Sequence, residues 1–231
     1  MQGQKICVCA LAGALLFGAG DWLLGFVSPE PVAGAFYFIS EGHGADFAPW
    51  RITATLLCSV VAAPLFCYAL SHTGTALCGS AACGRALDAA SGLCAFGWLF
   101  LHLIVTFHVA AYGIAARMSG AMQAASFSGR LDSLLRPVLF ASYACSAPAF
   151  IATAAAILAG KTRLKKQALL STPLFPMLIT GTISMLLPQS AFSKGLYTFC
   201  MNCGMIVWYV YLWAAGRRSG RTQQNKGTGR N

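Results

Sequence analysis

The sequence predicts an all-α protein, a polytopic transmembrane bundle of six helices with both termini in the cytoplasm. Hydrophobic residues make up 57% of its 231 residues and charged residues only 10%, whereas a soluble domain carries about 25% charged residues. Six apolar windows are long enough to cross about 30 Å of hydrocarbon. Most of the net charge of +10 falls on one side of the resulting bundle.

The six predicted spans account for nearly all of the chain before residue 216. We therefore expect a single transmembrane domain over 1–215. The Gly- and Arg-rich residues 216–231 are predicted to form a basic, disordered cytoplasmic tail. The first window follows a basic start, as a signal peptide does, but it is as long as a true span and is expected to be retained. The predicted spans are 6–27, 52–70, 93–115, 134–158, 169–187 and 195–215.

The connections between spans differ in length and composition. Residues 28–51 form the longest one, and its aromatic residues are expected to lie at headgroup depth on the outer side. Residues 117–133 form a second external loop, predicted to be short, polar and partly helical. Prolines bound the fifth span at Pro173, Pro176 and Pro188, which predicts a kinked entry and a sharp stop.

The basic residues indicate orientation and membrane partners. With six spans, the basic clusters in 161–166 and in the tail lie on the same side as Lys5 and Arg85. Cytoplasmic loops carry the Lys/Arg excess, so both termini are predicted to be cytoplasmic. The protein is predicted to lie in the plasma membrane. The clusters are expected to contact anionic headgroups. This distribution argues against nucleic-acid binding.

The ten cysteines predict no disulfide framework. Most of them fall inside predicted spans, where a free cysteine behaves as a small hydrophobic residue. Cys200 and Cys203 form a C-x-x-C pair, but inside an apolar span this pattern favours packing. Cys78 and Cys83 fall in a predicted cytoplasmic loop, where reducing conditions disfavour a disulfide.

An acid interrupts the first span at Asp21, in the stretch GAGDWLLGF. In a helix, Ala14, Gly18, Asp21 and Gly25 share one face, and small residues let neighbouring helices approach closely in lipid. Asp21 is therefore predicted to project into the bundle. A bare carboxylate there costs several kcal/mol, so Asp21 must be protonated or have a partner.

Depth along the predicted spans suggests which residues meet Asp21. Counting from the span ends at about 1.5 Å per residue places Asp21, His108 and Asn202 at one level of the outer leaflet. His102 falls nearer the midplane and about 120° around the helix from His108. The trio is either a satisfied polar network or the floor of a pocket. The ligand-binding candidates from this reasoning are Asp21, Arg51, His108, Tyr112, Gln189 and Asn202, of which Asp21 and His108 are also candidate catalytic residues.

The motifs GDWLLG, FHVAAYG, TPLFPMLITGTISMLLP and GLYTFCMNCGM resemble those of a family of bacterial integral membrane proteins catalogued as a domain of unknown function. The resemblance implies that the Asp following Gly in the family corresponds to Asp21 and its third-span His to His108. It also implies that the sixth-span Tyr and Asn correspond to Tyr197 and Asn202, which adds Tyr197 to the candidates. The family has no assigned activity, so the resemblance implies an architecture and not a reaction.

Several functions stay open. The first is a pocket in the outer leaflet that binds a small lipophilic or amphipathic molecule. The second is a membrane-embedded enzyme, in which Asp21 and His108 act as base and orienting group or hold a metal-activated water. Zinc usually has three protein ligands, so a metal would need His102, His43 or a thiolate as well. A transporter and a structural or accessory subunit are the remaining alternatives, and no particular cofactor is predicted.

Overall fold

The computed structural model describes residues 2–27 and 48–228, and this part of the chain is helical with no strands. Seven α-helices and one short 3₁₀ helix follow one another along it. They are α1 (Gln2–Gly25), α2 (Pro49–Leu77), α3 (Ala81–Ser119), α4 (Ala121–Ala144), α5 (Ala147–Leu158), the 3₁₀ helix Lys166–Ser171, α6 (Leu174–Leu186) and α7 (Ala191–Thr228).

Local sequence signals set the helix boundaries. Pro49 begins α2, where its missing N–H costs nothing. The side chain of Ser80 caps α3 by accepting a hydrogen bond from the backbone N–H of Cys83. Gly120 turns the chain between α3 and α4 with a φ of 83°, a backbone conformation that glycine adopts without steric cost.

The second predicted external loop is almost entirely helical. α3 extends to Ser119 and α4 begins at Ala121, so Gly120 is the whole connection where a loop over 117–133 was predicted. The predicted fourth span, 134–158, is divided instead between α4 and α5, which are separated by a break at Cys145 and Ser146. Pro148 in the first turn of α5 fits this break, because proline begins a helix well and cannot continue one.

Within residues 2–27 and 48–228, five segments are long and apolar enough to cross a membrane: Gly3–Gly25, Pro49–Leu77, Ala81–Ser119, Met122–Leu158 and Ala191–Arg217. At the place of the predicted fifth span, α6 has 13 residues. That is about 20 Å of helix, shorter than a full crossing. The tail prediction also differs from the structure. α7 continues as helix to Thr228, where disorder was predicted from residue 216.

The helices pack around α1, α2, α3 and α7. α1 lies between α2 and α7, α2 also packs on α3, and α4 and α6 lie against α3 and α7 respectively. Large apolar side chains such as Val60, Phe107, Ile151 and Leu186 are exposed on the outside of the bundle. An apolar exterior of this kind is what a bundle in lipid presents to acyl chains.

α1 and α7 run antiparallel and meet along most of their length. Near the end of α1, Asp21 contacts residues in the first turns of α7. At the other end, Gly3 of α1 and Gly216 of α7 line one cavity. We call this the basic end; it also holds the end of α2, the start of α3 and Arg163. The first described turn of α1 and the cavity-lining part of α7 are therefore on the same side of the bundle.

Two free thiols lie side by side at the basic end. The Sγ atoms of Cys78 and Cys83 are 2.7 Å apart, and Cys78 is buried. Burial, followed by the hydrogen bond and charge of Cys83 and the charge of Asp88, raises the pKa of the Cys78 thiol to about 12. Cys78 is therefore held as the neutral thiol at ordinary pH.

We expect Cys78 to react slowly with a soluble alkylating reagent at pH 8, because the thiolate is the reactive form. Its alkylation in the folded protein should be at least about tenfold slower than in the same protein unfolded in detergent and denaturant. Peptide mass spectrometry after timed exposure to iodoacetamide measures both rates. Equal rates before and after unfolding would contradict the burial of this thiol.

Candidate functional site

Small residues bring α1 and α7 together on either side of Asp21. A Cβ atom added at Gly18 would lie 2.8 Å from Cδ2 of Phe199, and one added at Gly25 would lie 2.9 Å from Cβ of Thr198. These distances are shorter than real Cβ contacts, so any larger residue at either position would force Phe199 or Thr198 to move. The face of α1 predicted to enter the bundle therefore packs directly on α7.

The Asp21 carboxylate bonds to α7 in this contact. Its Oδ2 accepts a hydrogen bond of 2.6 Å from Nδ2 of Asn202, and Asn202 is fully buried. The hydroxyl of Thr198 donates to the backbone oxygen of Asp21 at 3.1 Å. The structure thus joins Asp21 and Asn202, two members of the trio grouped by depth along the sequence.

The imidazole beside Asp21 is that of His102. Depth along the predicted spans had suggested His108 instead. Nε2 of His102 lies 3.3 Å from Oδ1 of Asp21, with 5% and 19% of the respective side chains exposed. The separation is within ion-pair range, although the directions do not meet hydrogen-bond geometry. His108 lies six residues further along α3 and faces α4.

Aromatic rings hold His102 in this orientation. The ring of Phe17 lies against the imidazole with its centroid 4.1 Å away, and the indole of Trp98 is nearly parallel to it at 6.3 Å. Nδ1 of His102 is 2.8 Å from the backbone oxygen of Trp98. The ring is therefore fixed by packing on its faces and by a hydrogen bond at one nitrogen.

This arrangement determines where protons reside. A carbonyl oxygen only accepts, so Nδ1 of His102 carries a hydrogen. Neutral His102 would then present the lone pair of Nε2 to Asp21, and a charged carboxylate opposite a lone pair is repulsive. A proton held between Nε2 and the carboxylate removes this repulsion.

A small cavity of about 40 Å³ lies beside this pair. Besides Nε2 of His102, which faces Asp21, two buried polar atoms of its lining residues have no hydrogen-bond partner among the described residues, namely Nε1 of Trp98 and Oδ1 of Asn202. One is a donor and the other an acceptor, and buried groups of this kind normally have partners. The cavity is lined by Asp21, Leu24, Trp98, Leu101, His102, Val105, Thr106, Tyr143, Thr198, Met201 and Asn202.

His108 belongs to a separate polar contact between α3 and α4. Its Nε2 lies 2.8 Å from the hydroxyl of Ser128, and one turn further along α4 Asp132 is paired with Arg136. His108 and Ser128 are almost completely buried, and neither lines the cavity beside Asp21. A Ser–His contact without access for a substrate is best explained as a bond between two helices.

The other candidates are dispersed. Arg51 donates a hydrogen bond of 2.7 Å to the backbone oxygen of Phe26, which joins the start of α2 to the end of α1. Tyr112 is fully buried in an apolar cluster with Val109 and Leu139. Gln189 is exposed between α6 and α7. Tyr197 is on α7 next to the cavity-lining Thr198 but is not itself in the lining.

The candidate metal ligands do not converge in the described part of the chain. There, no three His, Cys, Asp or Glu side chains are grouped closely enough to hold a metal ion. Asp21 and His102 make only a pair, and His108 is directed to Ser128. His43 lies outside the described residues.

Sequence reasoning missed four residues of the lining that supply polar atoms, Trp98, Thr106, Tyr143 and Thr198. Trp98 packs against Phe66 as well as His102. The available signal was helical spacing, because Trp98 and His102 are four residues apart and share a face of α3. Tyr143 had no such signal, since it comes from α4 near the unpredicted break.

Long apolar helices, an apolar exterior and polar groups collected in the interior are the features of a multi-pass membrane protein. The chain belongs to a family of unknown function (DUF6796), whose sequence model matches residues 1–216. No curated protein and no solved structure matches the chain.

Proposed function

We propose that this protein crosses the membrane six times and binds the polar head of a small amphipathic molecule beside Asp21. The observation that carries the proposal is a cavity lined by the Asp21–His102 pair and by Trp98 and Asn202, each of which has a buried polar atom without a partner in the described part of the chain. An interior polar site in a membrane bundle is costly unless it is filled. A ligand that completes these hydrogen bonds offsets that cost.

The unpartnered atoms specify the chemistry of the head. Nε1 of Trp98 requires an acceptor and Oδ1 of Asn202 requires a donor. A hydroxyl group provides both, because its oxygen accepts and its hydrogen donates. We therefore assign a hydroxyl-bearing head to the ligand, with the Asp21 carboxylate as a further acceptor.

The size of the cavity determines how much of the ligand it encloses. At roughly 10–15 Å³ for each water-sized centre, a volume of about 40 Å³ holds a small polar group and not a drug-sized molecule. The apolar part must then leave along the apolar side of the lining, formed by Leu24, Leu101, Val105 and Met201. A lipophilic tail suits that path.

The topology in this proposal follows from the shared end of α1 and α7. In this topology the fifth pass consists of the 3₁₀ helix and α6, and the sixth pass is α7. The basic end carries Lys5, Arg85, Arg163 and Arg217, so the positive-inside rule places it in the cytoplasm. Asp21 then faces the outer half of the plasma membrane.

The geometry favours binding over general-base catalysis by His102. Nδ1 is committed to the backbone of Trp98 and Nε2 faces Asp21, so neither ring nitrogen is directed at a substrate. A general base must reach the proton that it removes. In this site the imidazole supports the carboxylate.

Trp98→Phe tests the proposal, since it keeps an aromatic ring and removes only the indole N–H. We expect the purified protein to carry a small amphipathic molecule, detectable by native mass spectrometry from mild detergent. The variant should retain it about fivefold less, the effect of one hydrogen bond.

Trp208→Phe is the matched control, because Trp208 is equally buried and is not in the lining. It should retain the molecule at the level of the parent protein. The absence of any bound molecule from the parent protein, or equal retention by Trp98→Phe, would overturn the proposal.

A further inference from the structure

A second and much larger cavity lies at the basic end, far along the bundle from Asp21. Its volume is about 660 Å³, within the range of small-molecule sites. Four parts of the chain form it: the start of α1, the end of α2, the segment after α5 and the end of the apolar part of α7. The lining includes Gln4, Cys7, His72, Leu77, Arg163 and Trp213.

The cavity has an apolar interior and a polar rim. Ile6, Leu77 and Leu212 are buried side chains of its lining. His72 and Arg163 contribute its basic side chains. Nδ1 of His72 is 2.8 Å from the backbone oxygen of Tyr68, which leaves Nε2 as the nitrogen able to face a ligand.

Backbone bonds hold Arg163 at this rim. Its N–H donates to the oxygen of Leu77 at 2.9 Å, and the N–H of Gly79 donates to the oxygen of Lys161 at 3.1 Å. This antiparallel pair of bonds fastens the segment after α5 to the end of α2. Arg163 is thus placed by the fold and does not depend on a flexible loop for its position.

The surroundings of the cavity are strongly positive. Arg217 stacks on Trp213 with its guanidinium carbon 3.8 Å from the ring centroid. Lys5, Lys161, Lys165 and Lys166 are exposed at the same end. Among the described residues the acid at this end is Asp88, and its oxygens are occupied by the backbone N–H groups of Gly74 and Thr75 and by the Thr75 hydroxyl.

We propose that this cavity binds one anionic phospholipid from the leaflet at the basic end. The phosphate lies at Arg163 and His72, and the first part of the acyl chains lies along Ile6, Leu77 and Leu212. Basic pockets between transmembrane helices suit anionic headgroups, and guanidinium groups match phosphate oxygens in pairs. This site is independent of the one proposed beside Asp21.

Arg163→Gln is the first test, with Arg85→Gln as its matched control. Both remove one guanidinium at the basic end, but Arg85 does not line the cavity. Native mass spectrometry is carried out on protein in mild detergent with added phosphatidylglycerol, with phosphatidylcholine of the same acyl chains, or with inorganic phosphate. We expect one retained phosphatidylglycerol, with retention about fivefold lower in Arg163→Gln and unchanged in Arg85→Gln.

Ala76→Trp is the second test, because it fills the cavity without changing its charge. Ala76 is a half-buried residue of the lining, and the larger side chain should exclude the lipid while the protein stays folded. If Arg163→Gln and Arg85→Gln lose equal amounts of phosphatidylglycerol, the lipid is held by general charge attraction and the proposed site is wrong. Equal retention of phosphatidylcholine, or binding of phosphate alone with the same dependence on Arg163, would overturn the assignment of the ligand.

Discussion

Asp21→Leu should destabilise the folded protein by about 3–5 kcal/mol, the cost of breaking a buried pair by removing one partner. The leucine leaves Nε2 of His102 and Nδ2 of Asn202 without the oxygens that they face. It also removes the carboxylate that keeps one proton in the pair. No neighbouring group in the described lining replaces both oxygens.

Asp21→Asn should cost only about 1 kcal/mol, the usual effect of one altered hydrogen bond between membrane helices. The amide oxygen still accepts from Asn202, and the amide nitrogen donates to Nε2 of neutral His102. Unfolding in mild detergent, followed by the exposure of buried tryptophan, measures both variants. Ala19→Leu is the control, since Ala19 is exposed on the same helix.

Equal destabilisation by Asp21→Asn and Asp21→Leu would contradict the shared-proton arrangement. The nitrogen shifts of the His102 imidazole in NMR spectra provide a direct check, because they distinguish a hydrogen on Nδ1 from one on Nε2. We expect Nδ1 to be protonated in the parent protein and in Asp21→Asn. A bound amphipathic molecule lost from a fully folded Asp21→Asn would show that the ligand requires the charge of the carboxylate.

Gly74→Val should destabilise the protein by about 3 kcal/mol, at the upper end for overpacking of a close contact. A Cβ atom at Gly74 would lie 2.5 Å from the backbone oxygen of Gly84 and 2.7 Å from the backbone nitrogen of Asp88. Backbone atoms cannot rotate away, so α2 and α3 must separate. The hydrogen bond of 2.6 Å from the N–H of Gly74 to Asp88 would be lost with that movement.

Gly92→Val is the matched control for this prediction. Gly92 is also helical, and its nearest neighbour to an added Cβ would be the hydroxyl of Ser71 at 3.9 Å. The same change of residue type therefore meets ordinary contact instead of overlap. If the thermal unfolding midpoint in detergent falls equally in both variants, the close approach of α2 and α3 is not the cause of the destabilisation.

The predicted membership of a family of unknown function is confirmed, and composition identified the class of membrane protein. Long apolar windows indicate membrane helices, because soluble domains do not contain so many of them. Their ends were less predictable. Packing between helices determines the break at Cys145 and the continuation of α3 to Ser119. A hydropathy window does not detect such packing.

The candidate site was predicted in part. The small residues around Asp21 on one face of α1 correctly indicated a close helix contact, and depth correctly grouped Asp21 with Asn202. Depth failed for the histidine because it assumed that every span ends at the same level. Asp21 lies four residues before the end of α1, whereas His102 lies 17 residues before the end of α3. Because these two side chains are in contact, α3 projects well past the end of α1, and the imidazole level with Asp21 is the earlier one, His102.

The roles of the two histidines follow from their positions around α3. Six residues separate them, so they project about 120° apart. His102 faces α1 and His108 faces α4. Residue spacing predicted this divergence, but the choice of partner for each face depends on which helix lies beside it. Which helix lies beside each face is a matter of tertiary contacts, and only the structure shows them.

The antiparallel arrangement of α1 and α7 has a practical consequence for protein engineering. Because Gly3 and Gly216 line the same cavity, a short flexible linker from Gly216 to Gly3, in place of the last turns of α7, would join these helices into one continuous chain. New ends could then be opened at the tight turn around Gly120, on the opposite side of the bundle. Such a circular permutant would carry a fluorescent fusion beside the α3–α4 turn while leaving the residues around Asp21 unchanged.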